Sequence, residues 1–132
     1  PIEPALRSLI SVRVAQINGC AFCVDINSAA ALGRGGDHAK LAALADFATS
    51  ALFSDREKLA LAYAEAVTYL NRRPSAEDFE RLQRHFDDNA VVELTGLIAF
   101  QNLSSKFNAA LGVEAQGFCV VPSPDKDPSS NG

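Results

Sequence analysis

Cys20 and Cys23 are the residues of this sequence whose type and spacing point most directly to chemistry. Thiols at i and i+3 fall on one helical face, close enough for a disulfide within a first turn. Asn18-Gly19 breaks whatever helix precedes it, so Cys20 stands where a new helix begins. The free N–H groups and partial positive charge of a helix N-terminus favour thiolate over thiol, so a lowered cysteine pKa is expected there. A thiolate is a nucleophile, and a second thiol one turn away can capture a sulfenic acid before it oxidises further. The same C-x-x-C spacing also serves as half of a zinc site, or as two small core hydrophobes. Zinc needs a second ligand pair, but only His38, His85 and Cys119 remain and none has pair spacing. The thioredoxin arrangement needs a strand ahead of the pair, and here a helix precedes it.

The elements that must position the pair read as helices with short punctuation. Leu6, Leu9, Ile10, Val14 and Ile17 recur at helical spacing, predicting an amphipathic helix over 4–17. The second helix starts near Cys20 and runs to Leu32, stopped by Gly33, Gly35 and Gly36. Asp37 caps a third, His38 to Phe47. Ser54-Asp55-Arg56-Glu57 is a capping box ahead of the run Leu59 to Leu70. Ser75 caps a helix with Phe79, Leu82 and Phe86 on one face, and Asp87 or Asp88 caps the longest, ended by Gly112. The predicted fold is all-α, a bundle of about six helices over 1–113, with an extended, mobile tail over 114–132. Only Phe118 to Val121 shows short β alternation.

Composition narrows the function. The 132 residues amount to one domain, 48% hydrophobic and 21% charged, as in a folded soluble protein. Twelve Lys and Arg against 16 Asp and Glu leave a formal charge of -4, with no basic run to displace nucleic-acid counterions. The longest apolar stretch, Leu94 to Phe100, is far short of the ~20 residues that span a bilayer. Nucleic-acid and membrane partners are therefore excluded. No secretory signal heads the sequence, so a reducing, cytoplasmic location is expected.

The string Leu9-Ile10-Ser11-Val12-Arg13-Val14-Ala15-Gln16-Ile17-Asn18-Gly19-Cys20-Ala21-Phe22-Cys23-Val24-Asp25 strongly resembles alkylhydroperoxidase D-like members of the carboxymuconolactone decarboxylase family. The likeness continues through Phe53 to Glu57 and Leu61 to Thr68, and more weakly through Asn102 to Leu111, covering about residues 5–113. It implies a helical bundle of the alkylhydroperoxidase D-like type that assembles as a trimer or hexamer. It also implies reduction of organic hydroperoxides without metal or organic cofactor, and recycling by an external thiol or dihydrolipoyl dithiol. Carried over by position, Cys23 is the peroxide-attacking thiol and Cys20 its resolving partner. The family's fuller motif has a glutamate twelve residues before the first cysteine and a histidine four after the second. Here those positions are Ser8 and Asn27. Neither side chain exchanges a proton near neutral pH, so both ends of the relay are replaced.

Several residues are candidates for support. Asp25 lies about 200° around the helix from Cys23. Glu65 and Glu93 sit mid-helix among apolar neighbours, as substitute bases or as paired or solvated carboxylates. Arg13 either pairs with a carboxylate near the cysteines or snorkels to solvent. Gln16 and Asn18 position the Cys20 turn through backbone hydrogen bonds. His38 and His85 read as surface residues, Phe22 as packing or pocket wall, and Cys119 as incidental or as a partner for a neighbouring subunit's thiol. Two further functions stand beside the peroxidase. One is a non-catalytic oligomer that binds a small apolar ligand or senses redox state. The other is decarboxylation of a lactone acid, which calls for no cysteine pair.

Overall fold

The computed structural model describes residues 2–119. Among them are the helices α1 (Pro4–Ile17), α2 (Ala21–Gly33), α3 (His38–Ala43), α4 (Asp55–Thr68), α5 (Ala76–Gln83) and α6 (Asp88–Ala110). The all-α, six-helix bundle expected from sequence is the observed fold. Residues 113–119 have no regular secondary structure and bend at Gly117, and Phe118 and Cys119 are in no strand. The rest of the predicted tail and of the β-like stretch, from Val120 on, lies outside the described residues.

α1 is the centre of the bundle, packed against α2, α4 and α6. Its burial corrects the amphipathic expectation. Leu6, Leu9, Ile10, Val12, Val14 and Ala15 are buried, and so are the small polar Ser8 and Ser11. A helix enclosed on almost all sides has no solvated face to set against an apolar one, and its polar positions must be small and bonded. Leu44, Leu61, Leu94 and Ile98 close around it at 0% exposure.

The predicted third helix is split. α3 stops at Ala43, a 3-10 segment follows over Leu44–Thr49, and Asp46 has non-helical angles (φ -109°, ψ 26°). Leu44 and Phe47, three residues apart, both face the core. The capping box at Ser54/Glu57 and the Ser75 cap form as expected, Asp78 completes a second capping box with Ser75, and Asp87 rather than Asp88 caps α6. Glu57 also takes Lys40 Nζ at 2.8 and 2.9 Å, fastening α3 to α4. Burial pushes its carboxyl pKa up, but the Lys40 bonds and the Ser54 N–H outweigh that, and it settles below the usual value.

α6 turns an apolar stripe outward along its length and buries polar residues in its second half. Gln101 and Ser105 are buried, whereas Val92, Phe100, Leu103, Phe107 and Leu111 form an outward stripe, each 63–72% exposed. No helix among the described residues is long and apolar enough to cross a membrane.

Candidate active site

The cysteine turn is built by two helix ends that share one residue. α1 finishes in a Schellman motif: Gly19 has φ +66°, its N–H donates to Gln16 O at 3.2 Å, and Cys20 N–H donates to Ala15 O at 3.1 Å. Cys20 then caps α2, its Sγ accepting the Cys23 backbone N–H at 3.2 Å. Sulfur thus occupies the place usually held by a serine or aspartate oxygen. Both cysteines are free thiols, 1% exposed, and pack with Ala15.

The loop is pinned by side chains as well as by the backbone bonds expected of Gln16 and Asn18, whose O and N–H meet Gly19 N–H and Val14 O at 3.2 and 3.0 Å. Asn18 Nδ2 donates to Asn102 Oδ1 at 2.9 Å and to Ser105 Oγ at 2.8 Å, and Asn102 Nδ2 reaches Thr68 Oγ1 at 3.1 Å. One amide therefore ties the turn to α6 and, through α6, to α4. Replacing Asn18 by alanine leaves the Asn102 acceptor unpaired in a half-buried site. The expected cost is about 1–3 kcal/mol, read as a lower chemical-denaturation midpoint.

The two thiols face different surroundings. Cys23 Sγ meets α6: Asn108 Nδ2 donates to it at 3.6 Å, and Ser104 Oγ lies 3.9 Å away, with either group able to donate. Cys20 instead lines an open cavity of about 500 Å³ with Gln16, Val24, Asp25, Ser28 and Cys119. The expectation of a lowered pKa fails at Cys20. Burial pushes its thiol above the ordinary value, and donation between the two thiols adds to this, outweighing the backbone N–H groups of Cys23 and Phe22. Ser104 and Asn108 are the site residues that sequence reasoning missed. Their signal was a run of Ser, Asn and Gln at three- and four-residue steps on a helix otherwise apolar outward.

The remaining candidates are occupied elsewhere. Ser8 Oγ accepts Arg34 Nη1 at 2.9 Å, and Asn27 Nδ2 donates to Cys23 O at 2.8 Å, so neither relay position has a bond to a thiol. Arg13 takes the ion-pair alternative, meeting Glu65 Oε1 at 2.8 and 3.0 Å and Gln16 Oε1 at 3.1 Å. Arg72 also reaches Glu65 at 3.4 Å, and Arg7 pairs with Glu93. Neither glutamate lines the Cys20 cavity, and both are paired carboxylates rather than substitute bases. His38 and His85 are exposed. Among the described residues no three His, Cys, Asp or Glu side chains cluster as metal ligands.

Asp25 is an anchor and not a base. Its carboxylate accepts the backbone N–H groups of Gln116 at 2.9 Å, Phe118 at 2.9 Å and Cys119 at 2.6 Å. The Cys119 amide is the main cause of a pKa below the ordinary 3.8. Burial opposes it, and the Phe118 and Gln116 amides add to it. With the folded pKa below the unfolded one, the contribution is complete above the ordinary value and is lost as pH falls through the folded value. The Phe118 and Cys119 amide proton shifts should therefore move together in an acid titration with a midpoint below 3.8. A midpoint at or above it would mean that the carboxylate does not hold the segment.

The model of the carboxymuconolactone decarboxylase family matches residues 1–66. YnjA of Escherichia coli (strain K12), an uncharacterised protein, is 49% identical over 124 residues, which cover 92% of this chain and 67% of YnjA. The chain belongs to the carboxymuconolactone decarboxylase family. Among solved structures of similar fold is a protein of unknown function from Agrobacterium tumefaciens, ATU0492, offered as an antioxidant-defence AhpD. It superposes with a TM-score of 0.82 at 26% identity, over 86% of this chain and 79% of that one. The debrominase Bmp8 superposes with a TM-score of 0.80 at 26% identity, over 89% of this chain and 63% of Bmp8. A Bmp8 variant has been solved in complex with 2,3,4-tribromopyrrole. The chain thus spans about two thirds of the length of YnjA and of Bmp8, and one protein similar to it within this fold is a debrominase.

Proposed function

We propose that this family member is a thiol peroxidase that reduces organic hydroperoxides through the Cys20–Cys23 pair. The Cys23 thiolate attacks the distal peroxide oxygen. The O–O bond breaks, the alkoxide leaves and takes up a proton as the alcohol, and Cys23 becomes a sulfenic acid. Cys20 sulfur attacks that sulfur, water leaves, and the disulfide closes across the first turn of α2. An external dithiol reduces the disulfide and is itself oxidised, which completes the cycle without metal or organic cofactor.

The observation that carries this reading is the asymmetry of the pair. Asn108 and Ser104 set polar groups against Cys23 alone, where charge on sulfur develops, while Cys20 borders the open cavity from which a reductant arrives. The exposed apolar stripe on α6 is the kind of surface a subunit interface covers, in line with a homo-oligomer. Steady-state consumption of tert-butyl hydroperoxide, supported by dihydrolipoamide, tests the assignment. Cys23→Ser should reduce it to the level of the dithiol alone, and wild-type turnover in that variant would sink the assignment.

A second reading is favoured by one observation, the lack of any bond from Ser8 or Asn27 to a thiol. Dithiol–disulfide exchange needs no relay, so a redox-sensing oligomer keeps the pair and omits peroxide turnover. Disulfide exchange at the wild-type rate with no peroxide consumption would select it.

A further inference from the structure

Cys119 is not a stray thiol on a loose tail. It lines the same cavity as Cys20, and Cys23 does not line it. Two contacts hold it there. Asp25, two residues past Cys23 on α2, accepts the backbone N–H groups of Gln116, Phe118 and Cys119, and the shortest bond is to Cys119 itself at 2.6 Å. Phe118 sets its ring edge-on against Phe22, the residue between the two cysteines, with centroids 6.4 Å apart and planes at 74°. The segment is therefore held up to and including the backbone N–H of the residue that carries the third thiol. A thiol at the end of a flexible segment would meet Cys20 only at the millimolar effective concentration of such a linker, and fixing the backbone raises that concentration.

The geometry points to Cys119 as a third redox thiol that takes over the disulfide: its sulfur attacks Cys20 Sγ of the oxidised pair, forms a Cys20–Cys119 disulfide and releases Cys23 reduced. The proposal rests on the Cys20–Cys23 disulfide of the reading above. The step is an exchange with no net oxidation. Cys119 gives its proton to solvent, the new S–S bond forms as the old one breaks, and Cys23 departs as thiolate and is protonated. The two oxidising equivalents stay on the chain, and the external dithiol then reduces a disulfide at the rim of the cavity. Cys23 meanwhile meets a second peroxide. Burial and the Asp25 carboxylate hold the Cys119 thiol above its ordinary pKa, so the attacking thiolate is a minor species at neutral pH.

Reduced Cys23→Ser protein treated with diamide, digested without reductant and mapped by mass spectrometry, tests the placement without peroxide. Only Cys20 and Cys119 remain to pair. The expected product is an intrachain Cys20–Cys119 peptide, formed at a rate independent of protein concentration and at least tenfold slower when Asp25→Ala is added. Wild-type protein given one equivalent of diamide should show the same cross-linked peptide together with alkylatable Cys23. Unlinked Cys20 and Cys119 in the Cys23→Ser protein, an interchain dimer through Cys119, or no slowing by Asp25→Ala would each overturn the proposal. Because diamide replaces peroxide, failure here leaves the peroxidase reading standing. Failure of peroxide consumption with a positive cross-link would remove that reading and keep the exchange.

Discussion

Ser8→Glu combined with Asn27→His is expected to raise hydroperoxide turnover by at least an order of magnitude. A positioned acid–base group is worth about 10²–10⁴ in rate, and this chain has lost both positions where its family pattern holds one. Asn27 lies one turn beyond Cys23 on α2, so an imidazole there shares the face of the attacking thiol. The glutamate enters a buried site, since Ser8 is 3% exposed. Its charge does not stand alone, because Arg34 already places Nη1 at 2.9 Å from the Ser8 hydroxyl. Each single change should give a smaller gain than the pair, since a histidine without its orienting carboxylate is free to rotate. Measured kcat/KM with tert-butyl hydroperoxide checks this. An unchanged value in a folded double variant would mean that the proton already has another carrier at this site.

Cys20→Ser is expected to separate the first oxidation from all later ones. Cys23 still attacks one peroxide, so a single turnover survives. The sulfenic acid then has no neighbour to condense with, because Cys119 borders the cavity on the Cys20 side. Steady-state turnover should fall by about two orders of magnitude or more, and Cys23 should accumulate as sulfenic and then sulfinic acid. Mass spectrometry of the intact variant after excess peroxide reads this directly. A variant that turns over at the wild-type rate would show that Cys20 does not resolve Cys23. The same change removes the sulfur that caps α2, and serine is a good replacement at an N-cap, so the loss in activity is not a loss of the helix.

Much of the bundle was legible because its helix starts use strong local chemistry. Ser54, Ser75, Asp37 and Asp87 each accept a backbone N–H at the first turn they were read to cap. Asn18-Gly19 likewise announces the break that Gly19 makes at φ +66°. What escaped was decided by tertiary contacts. Periodicity gives α1 one apolar face, but its central place buries Ser8 and Ser11 as well, and no pattern of hydrophobic residues encodes that. The break after Ala43, with Asp46 at non-helical angles, has no glycine or proline to mark it in the sequence.

The same division runs through the site. The cysteine pair and its helix start come from local sequence, whereas the polar neighbours of the Cys23 sulfur come from partners 81 and 85 residues away. Asp25 looked like a spare carboxylate until three tail amides claimed it. The expected thiol acidity at Cys20 was an argument about an exposed helix end, and burial reverses it. Glu65 and Glu93 were ambiguous because the arginines that pair with them sit on another helix or beyond it.

The most direct test is rapid mixing of fully reduced protein with one equivalent of tert-butyl hydroperoxide, with free thiols followed in time and Cys23→Ser run beside the wild type. The account predicts loss of two thiols per chain, much faster than for a small free thiol, and no fast phase in the variant. Thiol loss at the rate of a small free thiol, or the same fast phase in Cys23→Ser, would contradict it.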